Sequence, residues 1–309
     1  MAPHAPPPSA PTSQIDAIYA AARDAAGAVT EQVEIGLREV GPGARVVALA
    51  TPTLPPATHT SCYLLGDGAL TVVDPGRPTP ASRPGWRRCS TPRRPPVGAS
   101  RASCSPTTGD HVGGAAALAA ATGVPVAAHA DTAARLRGRV QVDELLADGD
   151  DLDGWTVVLT PGHAPGHVCL ADAGSGQVVA GDLVAGLGTI LIDPSEGDMT
   201  AYLASLERVA ALAPRRLLPA HGPMIDDAVG RLRGYAAHRL GREARVLAAV
   251  TALGPAPPSA LVPHAYADTP SGLWPLAERS LISHLVRLEA LGQVRAEPAA
   301  DGAATWRAA

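Results

Sequence analysis

No lysine, asparagine or phenylalanine occurs in the 309 residues. All 25 basic residues are therefore arginine, and the three missing types are those with AT-rich codons, so the gene is GC-rich. Aromatic residues make up only 3 % of the chain, which leaves Val, Leu, Ile and Ala to build the core. The four cysteines, Cys62, Cys89, Cys104 and Cys169, show no C-x-x-C spacing, which excludes a thiolate metal site and a disulfide framework. No apolar run is long enough to span a bilayer, and the opening MAPHAPPPSAPTS lacks the apolar centre of a signal peptide. A cytoplasmic protein without membrane contact is expected, with residues 1–13 a disordered Pro-rich tail.

The formal charge of -4 conceals an uneven distribution. Residues 77–107 carry 7 arginines, 7 prolines and no acidic residue. The rest of the chain holds 18 basic against 29 acidic residues, a balance of -11 that disfavours non-specific nucleic-acid binding. The same segment contains no Leu, Ile or Met, so it offers no helical or strand periodicity and is expected to be irregular and exposed. On that reading the sheet lacks a strand before Asp110.

Elsewhere the pattern alternates strands and helices. Gln14 to Val40 reads as mainly helical, and Arg45–Ala50, Cys62–Leu65 and Leu70–Val73 as strands. A helix is expected from Asp110 through Ala121. Strands follow at Val124–Ala128, Trp155–Thr160, Val168–Ala171 and Gln177–Ala180, then a helix at Thr200–Ala211 and a strand at Arg216–Pro219. After Pro223 the pattern changes to amphipathic helices at Gly234–Ala249, Ser259–Tyr266 and Leu276–Leu291, with a hairpin around DGAA. Three units are expected: the tail 1–13, a domain 14–230 and a small domain 231–309.

Four glycine-rich turns, each after an apolar run, carry metal-ligand side chains. GDHVGG holds Asp110 and His111, TPGHAPGH holds His163, AGDL holds Asp182 and PAHGP holds His221. Taken singly, an Asp-His pair is usually a turn and a buried histidine usually satisfies a carbonyl. Together they form an imidazole and carboxylate set without thiolate, which suits a zinc centre with an open position for water.

From about Arg45 to His221 the chain resembles the metallo-β-lactamase superfamily. Asp110 and His111 match the end of its T-H-x-H-x-D-H motif, His163 the next histidine, Asp182 the bridging carboxylate, His221 the last ligand, and VVDPG at Val72–Gly76 its Asp-x-Gly strand. The resemblance implies an α/β fold, an αββα sandwich, with the small domain 231–309 resembling the winged-helix domain of one branch that includes an endoribonuclease-like protein and polyketide thioesterases. It also implies a zinc hydrolase in which Asp182 bridges two ions and Asp110 is both ligand and catalytic orienter of a metal-bound hydroxide. His167 is the weaker catalytic candidate, since the second histidine of this motif orients its loop, and His59 is a candidate for the entrance.

This chain departs from the motif in having Pro106 and Thr108 where the first two histidines belong, and neither replaces imidazole. The metal site of those histidines and His163 is broken as written, and the neighbouring site of Asp110, His111, His221 and Asp182 is intact. One zinc or none is expected. Reading the GC-rich gene in its neighbouring frame turns residues 78–107 into a helix, then an apolar strand ending in Thr-His. Two compensating frame changes, near 76–78 and 107–109, account for this better than a natural Arg/Pro-rich insertion.

The function expected is hydrolysis of a small-molecule thioester, ester or lactone. The alternatives are a metal-dependent ribonuclease or phosphodiesterase, and a catalytically dead remnant. Residues 242–309 hold six arginines and six acidic residues, so no basic stripe advertises nucleic acid, and the small domain is expected to cover one side of the cleft or to form a homodimer.

Overall fold

The computed structural model describes residues 14–25, 36–51, 53–68, 70–76, 101–103, 109–298 and 304–309. The expected tail 1–13 and most of the Arg/Pro-rich segment, with Pro106 and Thr108, lie outside the described residues.

Helix α1 spans Gln14–Ala25. The expected continuation of that helix to Val40 is not found, because Leu37–Gly41 is strand β1. Pro42 and Gly43, the latter at φ +63°, turn the chain into strand β2, Ala44–Ala50, and the two pair antiparallel. Strands β3 (His59–Leu65) and β4 (Thr71–Val73) continue the meander.

Beyond β4 the sheet becomes parallel. Arg101–Ser103 forms strand β5, hydrogen-bonded between β4 and strand β6 (Val126–His129), and strand β7 (Glu144–Leu146) closes the seven-stranded order. The expectation of a sheet lacking the strand before Asp110 is therefore overturned. A central strand satisfies its N–H and C=O groups from both neighbours whatever its side chains, and that backbone demand outweighs the poor strand propensity of Arg-Ala-Ser.

The helix expected from Asp110 to Ala121 is broken into α2, Gly109–Val112, and α3, Ala115–Thr122. The Gly113–Gly114 pair divides them, and Gly114 N–H turns outward to donate to Pro75 O at 2.7 Å. Helix α4, Ala130–Leu136, follows β6 and was not anticipated.

The second sheet has the order β12-β11-β10-β9-β8. Its strands are β8 (Asp151–Leu152), β9 (Trp155–Leu159), β10 (Val168–Asp172), β11 (Gln177–Gly181) and β12 (Arg216–Pro219), antiparallel except for the β11–β12 pair. Val46, Tyr63, Leu65 and Val73 of the first sheet meet Val157, Val168, Leu170, Val179 and Leu218 of the second in one buried layer. Leu118 and Leu136 cover the outer face of the first sheet. On the outer face of the second lie α5 (Met199–Ala211) and the first half of α6 (Ala228–Leu253). The architecture is an αββα sandwich, each side chain of this size contributing roughly 1.5–3 kcal/mol on burial.

Helix α6 runs unbroken through 230/231. Leu232 and Tyr235 pack under the second sheet, and Val246 and Val250 enter a separate C-terminal core. That core is completed by α7 (Pro258–Ala265), α8 (Trp274–Ala290) and the hairpin of β13 (Val294–Pro298) and β14 (Ala304–Ala308), with Trp306 buried in it. These elements are a winged helix. No described helix is long and apolar enough to cross a membrane.

Candidate metal centre

The five residues singled out in the sequence stand on segments, three on loops and two on the short helix α2, that follow strands along one rim of the sandwich, the position where rigid sheets present chemistry. His163 follows β9, Asp182 follows β11 and His221 follows β12, while α2, after β5, carries Asp110 and His111. The side-chain ligand atoms of Asp110, His111 and His221 lie within 4.8 Å of one another.

Each of three imidazoles is turned by a fixed acceptor at its Nδ1. His221 Nδ1–H donates to His59 O at 3.0 Å and His163 Nδ1–H to Leu191 O at 2.9 Å; both acceptors are carbonyls, so the proton sits on the histidine. His111 Nδ1 lies 3.0 Å from Asp74 Oδ2. The remaining nitrogens converge on Asp182, with His111 Nε2 3.1 Å and His163 Nε2 3.4 Å from Oδ2, and His221 Nε2 3.3 Å from Oδ1. Asp110 Oδ2 is 3.8 Å from both His111 Nε2 and His221 Nε2.

Lone pairs facing a carboxylate repel unless a cation stands between them. His111 Nε2 and Asp182 Oδ1 are buried and make no hydrogen bond, an arrangement costly for a metal-free interior. The donor set, the orphaned atoms and the Nδ1 partners all fit a zinc-type ion at this point. Without the ion the charges compensate one another. Burial disfavours the His111 cation, yet the carboxylates of Asp182, Asp110 and Asp74 hold its pKa well above 6.5. Burial likewise opposes the Asp182 anion, but His111 and His221 hold it well below 3.8.

Asp74 was not among the residues singled out as ligands, although VVDPG marked its strand. It is 1 % exposed, adopts φ +49° and fixes the His111 ring. Gly76 follows because a Cβ there would lie 2.1 Å from Asp110 O. Asp74→Asn tolerates the left-handed backbone and keeps an acceptor but loses the charge, so zinc affinity is expected to fall about tenfold with the fold intact, as read by chelator competition.

His167 orients a loop, as the motif suggested. Its Nε2 accepts from Asp182 N–H at 3.0 Å, which places the ring proton on Nδ1, directed at Thr160 Oγ1 2.7 Å away. Complete burial and the nearby His163 push its pKa down to about 3. The unfolded chain binds a proton at this residue below 6.5 and the folded chain does not, so stability contributed by His167 is lost as pH falls from 6.5 toward 3. The stability difference between wild type and His167→Gln, from urea unfolding of the zinc-free chain, should be flat above pH 6.5 and shrink by about 2 kcal/mol by pH 5.

His59 enters the site through its backbone carbonyl, and its own Nδ1 meets Thr58 Oγ1 at 2.6 Å. Tyr19 of α1 lies on the face expected to be apolar, but its setting was not legible in the sequence. Its helix packs against α8, and burial raises the pKa of its hydroxyl, with Asp193 adding to the shift. A helix joined to the sandwich by an uninformative stretch leaves no sequence signal for that placement.

Comparison with known proteins agrees with this geometry. Residues 109–221 match the metallo-beta-lactamase superfamily and residues 258–306 the beta-lactamase associated winged helix domain. The chain thus carries a metallo-beta-lactamase domain followed by a beta-lactamase associated winged helix domain. It is 35% identical over 147 residues to the beta-lactamase-like protein 2 homolog of Drosophila melanogaster, covering 47% of this chain and 49% of that protein. The chain thus spans about half the length of that relative. A beta-lactamase domain protein from Burkholderia ambifaria superposes with a TM-score of 0.77 at 22% identity, over 90% of this chain and 96% of its own. A metallo-beta-lactamase family protein from Thermus thermophilus gives 0.72 at 21%, over 88% and 100%.

Proposed function

We propose that the chain is a zinc-dependent hydrolase of small thioesters, esters or lactones, with one ion held by Asp110, His111, His221 and Asp182. The observation that carries this reading is the convergence of three imidazole Nε2 atoms on one buried carboxylate, each ring held from behind at Nδ1. A zinc ion in such a set lowers the pKa of bound water to roughly 7 and polarises a carbonyl oxygen. The protein's own part is to aim and to dry the site. His111 has no exposed side-chain surface, whereas Asp110 is 14% and His163 20% exposed, so substrate approaches on their side. Asp110 is placed to accept a proton and to orient water at that face.

A phosphodiester substrate is the second reading, raised by the winged helix. Five of the six arginines in residues 242–309 are spent on ion pairs: Arg242 and Arg245 with Asp268, Arg279 with Asp193, Arg287 with Glu243 and Arg307 with Glu297. That favours the small-molecule reading, since a phosphate groove needs unspent cations. The test is elemental analysis followed by thioester, lactone and RNA substrates on the zinc-loaded chain. About one zinc per chain with turnover of a thioester or lactone is expected; turnover of RNA alone, or no bound metal, would overturn the proposal.

A further inference from the structure

Helix α6 and the winged helix together grip the loop that follows Asp182. Arg239 of α6 donates to Thr189 Oγ1 at 2.8 Å and to Ile190 O. Ser283 of α8 donates to Ile192 O at 2.7 Å. Arg279, also of α8, makes a two-pronged ion pair with Asp193, Nε to Oδ2 at 2.9 Å and Nη2 to Oδ1 at 2.7 Å. The residue in the middle, Leu191, turns its carbonyl the other way and accepts the Nδ1–H of His163.

Of residues 189–193, four are thus anchored to α6 and α8, two through backbone carbonyls and two through side chains, and the fifth, Leu191, to a ring of the metal centre. Asp193 is only 8% exposed, and its own carbonyl accepts from Gly197 N–H at 2.6 Å, so the turn has little freedom once the pair is made. A planar guanidinium meeting a carboxylate in two parallel bonds fixes orientation as well as distance. An imidazole whose Nδ1–H is fixed presents its Nε2 in one direction, here toward Asp182 Oδ2 at 3.4 Å.

We propose that Arg279 and Ser283 are positioning residues of the metal centre. They hold the Leu191 carbonyl where it sets the tautomer and the aim of His163, and through His163 the setting of Asp182. The winged helix then serves the active site as a brace. This inference rests on the reading of the rim as a metal centre, and its test separates the two.

The full-length chain would be compared with Ser283→Ala, Arg279→Lys, Arg279→Ala and the Arg279→Ala/Ser283→Ala double variant. Circular dichroism and amide exchange in α7 check that the C-terminal core is folded; the two milder variants keep the test open if the double variant is not. Three quantities are read: zinc affinity by chelator competition, amide exchange at Glu196 and Gly197, and the His163 tautomer by ¹⁵N NMR of the zinc-free chain at about pH 8.5, two units above the ordinary imidazole value. The double variant should bind zinc about tenfold more weakly, exchange those amides at least tenfold faster and lose the Nδ1–H preference of His163, with Arg279→Lys in between.

Faster exchange with tautomer and affinity unchanged would make the contacts merely structural and overturn the proposal. So would loss of affinity with the tautomer intact, or no change at all. If the wild-type chain binds no zinc, the hydrolase reading fails, and the tautomer and exchange measurements, which need no metal, still decide whether the winged helix sets His163.

Discussion

If the centre takes zinc as proposed, replacing His221 with alanine is expected to abolish zinc loading, whereas His163→Ala keeps about one ion per chain at reduced affinity. Both histidines face Asp182 at almost the same distance, 3.3 and 3.4 Å, so that contact does not distinguish them. What does is the company each keeps. His221 shares a 4.8 Å cluster with Asp110 and His111, and its ring meets the His111 ring edge-on at a centroid distance of 5.2 Å. His163 stands outside that cluster, and it is the histidine that the family motif groups with the two positions occupied by Pro106 and Thr108 in this sequence. Dividing a typical ~12 kcal/mol of zinc binding among four ligands gives ~3 kcal/mol for each, more than a hundredfold in affinity. Losing His163 removes the ring that stands 3.4 Å from Asp182 Oδ2 and helps to orient it, and costs about tenfold. The fold should survive His221→Ala, because the lost bond to His59 O is worth about 1 kcal/mol. Elemental analysis after gel filtration checks both variants, and equal metal contents would refute the assignment.

The ligand side chains were legible in the sequence because each sits in a short glycine turn after an apolar run, where local pattern and position in the fold agree. The groups that aim them were not. Leu191 and His59 act through backbone carbonyls, which any residue carries, and only the fold brings them 28 and 162 residues along the chain to their histidines. Asp74 was visible as part of VVDPG, but nothing local said that its carboxylate would face His111, 37 residues on. Strand β1 was misread for a different reason. Leu37 to Gly41 follows a long helical pattern, and the decisive signal was the Pro42–Gly43 turn beyond it, which pairs the strand with β2. Strand β5 has no sequence signature at all: its neighbours impose it.

That last point bears on rescue of the missing half-site. Residues 101–103 already run between β4 and β6, so Pro106→His with Thr108→His would restore the ligand types a few residues along the sequence from a strand held in place by backbone bonds. Arg-Ala-Ser, however, has no β-branched or large apolar residue to fix its register against the layers on either face, and a slip of one residue turns every side chain to the opposite face. Metal ligands must be held to within about 0.5 Å. The double substitution is therefore expected to raise zinc content only weakly above one ion per chain. Replacing residues 77–107 with their other-frame translation, expected from the codon pattern to supply a helix and an apolar strand ending in Thr-His, and completing the histidine motif, should bring the content to about two. The same replacement should raise the melting temperature by several degrees, since two or three newly buried aliphatic side chains contribute roughly 1.5–3 kcal/mol each. Two ions per chain and the same melting temperature from the double substitution alone would show that the strand needs no apolar anchor, and the frame-change reading of this segment would lose its structural consequence.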